Sequence, residues 1–206
     1  MPTVCLIDYG AGNLHSAQRG LERAAPSADH RIVVSADPNV ILHADRLVLP
    51  GVGAFASCAE GLRARLGLED AIRDAVLEKG RPFLGICVGM QLLADRGLEH
   101  GVTEGLGFIP GEVRLLDTRG ERIPHMGWND VRTETSHPLS PNDGDAYFVH
   151  SYCFDASGSD IVATTTYGET FPATVARGNV AGAQFHPEKS GQYGQAFLTN
   201  FLEWRP

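Results

Sequence analysis

The residues best suited to covalent chemistry here are a cysteine, a histidine and a glutamate. Cys87 sits in Gly85-Ile86-Cys87-Val88-Gly89, where the apolar run "PFLGIC" turns into the helix-like "VGMQLL". Gly-x-Cys-x-Gly matches the nucleophile elbow usually written with serine, a strained strand-to-helix turn that exposes the attacking atom. Such a turn brings neighbouring backbone close, and a Cβ on either flank would clash, which is a physical reason for both glycines. The N–H groups of the helix that follows would face the sulfur and favour the thiolate, the attacking species. The same five residues also fit a buried cysteine between two packing glycines, so the pattern needs a base.

Of eight histidines, two are plausible bases. His150 lies inside "YFVHSY", facing either core or cleft. His186 ends the apolar run "VAGAQFH", Pro187 stops that strand, and Glu188 follows two residues later. A histidine at a strand end can reach a neighbouring strand's elbow, and a nearby carboxylate can hold its tautomer. His15, His30, His43, His100, His125 and His137 read as surface or loop residues. No spacing of a metal site, such as H-E-x-x-H or paired C-x-x-C, is present, and no cofactor is expected.

Attack on a carbonyl also needs an oxyanion hole. The Val88 N–H directly after the nucleophile is one donor. The loop "LPGVGAF" offers another from Val52 or Gly53, although alone it would read as a plain Gly/Pro turn. "DYGAGNLHS" has Gly10 and Gly12 but His15 where a dinucleotide fingerprint needs a third glycine, so it reads as a turn and helix cap.

The elements around these residues follow from apolar periodicity. "TVCLID", "RIVVS", "RLVLP" and "PFLGIC" are apolar throughout, as strands buried on both faces are. They alternate with helix patterns: Asn13 caps a helix carrying Leu14, Ala17, Leu21 and Ala24, and 59–79 reads as one helix through Leu62, Leu66, Ala71, Ile72, Ala75 and Val76. Beyond about residue 105 come "EVRLLD", "NDVRTE", "DAYFVHSYCF", "DIVATTTY" and "VAGAQFH", joined by turns typical of antiparallel strands. A last helix shares Tyr193, Ala196, Phe197, Phe201 and Trp204 on one face. The expected fold is one α/β domain, a mainly parallel sheet flanked by helices, with an antiparallel element in its second half.

The bulk properties limit the function classes. The 206 residues suit one domain with a full core. A net charge of −8, with no Lys/Arg block, argues against nucleic acid. The N-terminal "MPTVCLIDYG" has no basic region, predicting no signal peptide, and no apolar run reaches the about 18 residues of a membrane span. Cys5, Cys58, Cys87 and Cys153 have no paired spacing, which predicts a reduced, cytoplasmic setting. Cys5, Cys58 and Cys153 read as buried small hydrophobes.

"PGVG", "LGICVGMQLL" and "FHPEKS" together resemble the class I, triad-type glutamine amidotransferases. "IDYGAGNL", "PHMGWN" and "YFVHSY" are similar to one branch, the glutaminase subunits of imidazole glycerol phosphate synthases in histidine biosynthesis. The resemblance implies a flavodoxin-like fold forming a single glutaminase domain over 1–206. It implies that Cys87 attacks glutamine, His186 protonates the leaving ammonia, and Glu188 orients His186. It further implies substrate contacts from Gly51, Gln91, Ser151 and Tyr152. A (β/α)8-barrel cyclase partner would form a heterodimer through Asn13, Trp128, Tyr147 and Lys189, although Trp128 fits ordinary core equally well. Val88 departs from the leucine more frequent in the family. Competing readings are the glutaminase of another synthase, a stand-alone cysteine hydrolase, or a silent binding protein on the same fold.

Overall fold

The computed structural model describes residues 1–27 and 30–206. The first half alternates strand and helix. β1 (Thr3–Ile7), α1 (Leu14–Ala24), β2 (Arg31–Ser35), α2 (Pro38–His43) and β3 (Arg46–Gly51) lead to α3 (Phe55–Arg63). Then come α4 (Leu68–Arg73), a π turn over Asp74–Glu78, β4 (Phe83–Cys87) and the single-turn α5 (Val88–Gln91). Short strands follow: β5 (Arg96–Gly97), β6 (Thr103–Glu104), β7 (Gly111–Leu115), β8 (His125–Thr133), β9 (Gly144–His150) and β10 (Tyr152–Ala156). The chain closes with β11 (Ile161–Tyr167), β12 (Glu169–Arg177), β13 (Val180–Ala183) and α6 (Gly191–Glu203).

A nine-stranded sheet runs β2-β1-β3-β4-β13-β12-β11-β8-β9. The strands from β2 to β13 pair in parallel, and the remaining four pair antiparallel. A second sheet of four strands runs β10-β7-β5-β6. The expected mixture is therefore present. Every residue of β4 and β13 is buried, which is why their sequences are apolar without alternation. Asn13 caps α1 through its side chain, accepting from Ser16 N at 3.3 Å. Phe185 packs edge-on against Phe148 and Phe197, with centroids 5.9 Å and 5.2 Å away, and so anchors the segment that carries His186.

Several expectations need correction. The helix expected over 59–79 starts earlier, at Phe55, and breaks before Leu68. Gly67 has φ +73° there, and Leu66 is 97% exposed, so it belongs to no apolar face. The run "DAYFVHSYCF" is two strands: β9 leaves the large sheet's edge at His150 and β10 enters the small sheet at Tyr152. β12 went unforeseen because Pro172 interrupts its pattern; the pairing of β11 with β12 slips beside it. Trp204 is buried but lies just past the end of α6. Cys5, Cys58, Cys87 and Cys153 are all free and buried. No described helix is long and apolar enough to cross a membrane.

Candidate active site

The carboxyl ends of β3, β4 and β13 meet at one cleft of about 300 Å³. Gly51 pairs with Cys87 across the first two strands, and His186 follows the end of β13 by three residues. Cys87 has φ +56° and ψ −113°, a conformation an L residue adopts only when its surroundings impose it. Those surroundings are visible. A Cβ on Gly85 would strike the Gly89 carbonyl, one on Gly89 would strike the Leu49 carbonyl, and one on Gly51 would lie 2.6 Å from Gly89 N. The elbow is thus built by three backbones in contact. Because α5 is one turn long, Cys87 faces a few local N–H groups rather than the dipole of a long helix.

His186 Nδ1 donates to Glu188 Oε1 at 2.9 Å, and both side chains are almost wholly buried. A short 3-10 turn over Pro187–Lys189 brings the carboxylate back under the ring. Ser190 ties this turn to β9: its Oγ donates to His186 O at 2.7 Å and accepts from Tyr147 N at 2.9 Å. α1 lies so close that a Cβ on Gly20 would come 3.0 Å from Glu188 Cβ. His186 Nε2 is buried without a formed hydrogen bond, and Cys87 stands beside the imidazole. Burial disfavours the charged imidazole, but its interactions with neighbouring Cys87 and Glu188 outweigh it and raise the pKa to about 9. The Cys87 sulfur lies 3.9 Å from Val149 O and from Gln184 Nε2.

The loop before α3 is pinned by three side chains. Pro50 O accepts from Tyr9 Oη at 2.8 Å, Val52 O accepts from Cys58 Sγ at 3.4 Å, and Phe55 N donates to Glu99 Oε2 at 2.8 Å. Since a trans peptide points its carbonyl and N–H opposite ways, the Gly53 N–H is turned away from Cys58. Val52, Gly53, Val88, Gln91, Ser151 and Tyr152 all line the cleft. Gly51 does not; it is buried beneath Val88 and Gly89, where it shapes the elbow. Gln91 is buried, its Nε2 donating to Tyr152 O at 2.9 Å and to Gln184 Oε1 at 3.1 Å.

Of the residues expected at an interface, Trp128 is 59% exposed, which removes the core reading. Its ring lies 6.1 Å from that of Tyr147, and Lys189 Nζ sits 5.9 Å over the Tyr147 ring. These three form one surface group beside the cleft, and Lys189 lines the cleft itself. Asn13 lies apart from them, on the Glu188 side of His186.

Sequence reasoning missed Glu99, Pro124 and Val149 on the cleft wall, and Gln184 beneath it. It also misplaced His125, which is buried and bonded to His150, because the register that pairs His125 with His150 was not readable. His150 lines the cleft, but both its ring nitrogens are occupied, by His125 and by Tyr152 O. That leaves His186 as the imidazole with a free nitrogen beside Cys87. Among the described residues, no group of three or more His, Cys, Asp or Glu side chains is placed to hold a metal ion.

A thiol on a strained corner, an imidazole with one nitrogen free, and a carboxylate on its other nitrogen can perform acyl transfer. Relatives agree with that chemistry. The model of the family "Glutamine amidotransferase class-I" matches residues 5–204. A protein of Zymomonas mobilis, "Imidazole glycerol phosphate synthase subunit HisH", is 54% identical, covering 99% of this chain and 97% of its own. A protein of the same name from Caulobacter vibrioides is 52% identical over the whole of both chains. A solved glutamine amidotransferase superposes with a TM-score of 0.74 at 21% identity, covering 97% of each chain, and so supports the fold. The chain belongs to the class-I glutamine amidotransferases.

Proposed function

We propose that this protein is the glutaminase subunit of an imidazole glycerol phosphate synthase, releasing ammonia from L-glutamine for histidine biosynthesis. The observation that carries the chemistry is the junction of Cys87, on its positive-φ elbow, with an imidazole already bonded to Glu188. The name shared by relatives about half identical over the full chain supports the biosynthetic assignment.

Cys87 gives its thiol proton to His186 Nε2, and the sulfur attacks the side-chain carbonyl of glutamine. The developing oxyanion takes the N–H of Val88 and one from the Val52–Gly53 loop. His186, steadied by Glu188, delivers a proton from Nε2 to the departing amine, and the C–N bond breaks to leave ammonia and a γ-glutamyl thioester. Water, deprotonated by His186, then attacks the thioester carbonyl and frees glutamate and the thiol. Ser151, Tyr152 and Gln91 form the wall against which glutamine lies.

Ammonia protonates in water and then ceases to be a nucleophile, so a synthase must accept it nearby. Exposed Trp128 and Lys189, set around the half-buried Tyr147 at the cleft rim, support a partner seated there, and the partner would have to extend further to meet Asn13 on the Glu188 side of His186. The partner we propose is a (β/α)8-barrel cyclase subunit, forming a heterodimer that makes imidazole glycerol phosphate and aminoimidazole carboxamide ribonucleotide. Co-purification with such a subunit, followed by a glutamine-dependent cyclase assay, tests the reading. Failure to associate, or cyclase activity with glutamine no greater than without it, rejects it.

A further inference from the structure

Two buried histidines beside the cleft have no part in the acyl transfer. His125 on β8 and His150 on β9 are both nearly inaccessible, packed among Phe148, Phe171 and Tyr167. Burying one imidazole costs less than burying an ion, but it still requires partners for both nitrogens. Each ring has them. His150 Nδ1 lies 2.9 Å from Tyr152 O, His150 Nε2 lies 3.0 Å from His125 Nδ1, and His125 Nε2 lies 3.2 Å from Asn129 Nδ2.

The proton positions in this chain are determined from both ends. Tyr152 O only accepts, so His150 Nδ1 carries the hydrogen, and a neutral His150 must then accept at Nε2 from His125 Nδ1–H. His125 Nε2 is left to accept from Asn129. The orientation of Asn129 is fixed separately: its Nδ2 donates to Thr166 O at 2.9 Å and its Oδ1 accepts from Asp130 N at 2.9 Å. The two ends demand the same direction. Burial lowers the pKa of His125 to about 4 and that of His150 to about 3, so both rings are neutral near pH 7.

The chain ends on a working part of the cleft. Tyr152 O also accepts from Gln91 Nε2, which in turn reaches Gln184 Oε1, whose Nε2 lies against the Cys87 sulfur. Tyr152 begins β10, one residue after the chain leaves β9, so no sheet partner on the β9 side fixes that corner. We propose that His125 and His150 are positioning residues: a neutral imidazole pair of fixed tautomer that holds the Tyr152 carbonyl, and through it Gln91, against the glutamine cleft. The pair makes no contact with the reacting atoms. It orients the wall on which the substrate rests and ties that wall to β8, next to Trp128.

The kinetic part of the test rests on the glutaminase reading; the spectroscopic part does not. Nitrogen-15 NMR of the full chain should find His125 and His150 protonated at Nδ1 and bare at Nε2 at neutral pH. Adding glutamate should shift the His150 Nδ1–H signal and leave His137 unmoved. The opposite tautomer, an imidazolium, or no response to glutamate overturns the proposal. Kinetically, His150→Asn keeps a donor where Nδ1 stands, whereas His150→Gln carries its amide out to the Nε2 position, where the oxygen can accept from His125, and leaves no group at Nδ1 for Tyr152 O. In complex with the cyclase subunit, His150→Gln should raise the glutamine KM roughly tenfold, the worth of one buried hydrogen bond, with kcat moving less. His150→Asn, which keeps the donor to Tyr152 O but leaves the His125 Nδ1–H without its acceptor, should raise KM clearly less than His150→Gln does. Equal losses in both variants, or losses in kcat alone, overturn the proposal; if neither variant folds, the wild-type spectra decide. A wild-type complex that does not hydrolyse glutamine, yet shows these tautomers and the glutamate response, would fault the functional reading and not this one.

Discussion

Replacing Glu188 by glutamine isolates what the carboxylate does for His186. The rise of the imidazole from 6.5 to about 9 means its charged form is held about 3 kcal/mol more favourably than in water, after the opposing burial has been overcome. Cys87 and Glu188 share that support. A glutamine at this position can still accept from Nδ1–H through its amide oxygen, so the tautomer survives and only the charge is lost. A hydrogen bond to a charged group is worth about 1–2 kcal/mol more than a neutral one, so kcat should fall about 5- to 30-fold. Glu188 does not line the cleft, and the glutamine KM should hold steady. In Glu188→Ala the buried Nδ1–H loses its acceptor altogether, which adds about 1–3 kcal/mol and lowers kcat further. The assay is glutamate release at saturating glutamine by the protein with the proposed cyclase subunit, with the pH dependence of kcat recorded alongside. An unchanged kcat in Glu188→Gln, or a loss confined to KM, would refute the claim that Glu188 acts through His186.

Four further outcomes follow from the same structure. His125 and His150 titrate at about 4 and about 3 when folded against 6.5 unfolded, so the unfolded chain binds the extra protons and their contribution, complete well above pH 6.5, is lost as pH falls; denaturant melts should lose about 3 kcal/mol between pH 6.5 and about 5, and His125→Asn should flatten that slope. His186 has the opposite sign: raised to about 9, it contributes fully below 6.5 and its share disappears as pH climbs through 9. Cys87→Gly should be about 1 kcal/mol more stable than Cys87→Ala, because glycine relieves the positive-φ corner that alanine must keep; equal melting temperatures would mean that the corner stores no strain. Trp128→Ala should leave the free protein's melting temperature within a degree or two, since its ring is largely exposed, while weakening capture of the cyclase subunit by about tenfold or more; unchanged capture would remove Trp128 from the interface.

What the sequence revealed was set by local forces. The elbow was legible because its two glycines answer a steric demand within five residues, and the Leu49 and Gly89 carbonyls turn out to supply that demand. Glu188 was legible because one 3-10 turn carries it back to His186. The inner parallel strands β1, β3, β4 and β13 were legible because both their faces are covered, whereas β2 at the sheet edge is only half-buried. The failures share a different cause. His125 read as a loop residue because its burial depends on pairing with a strand far along the chain, and Gln184 carried no periodic signal although it lies at van der Waals range of the sulfur. β9 and β10 read as one strand because Ser151 resembles its neighbours; only the existence of two sheets decides that the chain must turn there. Leu66 fitted a helical stripe until Gly67 broke the helix and left it in solvent.

The Cys87 sulfur is the attacking atom in this mechanism, and acid-quenched turnover with glutamine tests that directly. Peptide mapping by mass spectrometry should find a γ-glutamyl group on the peptide bearing Cys87, and none in Cys87→Ala, which should release no glutamate. Continued glutamate release by Cys87→Ala, or an adduct carried by Cys58 or Cys153 instead, would contradict it.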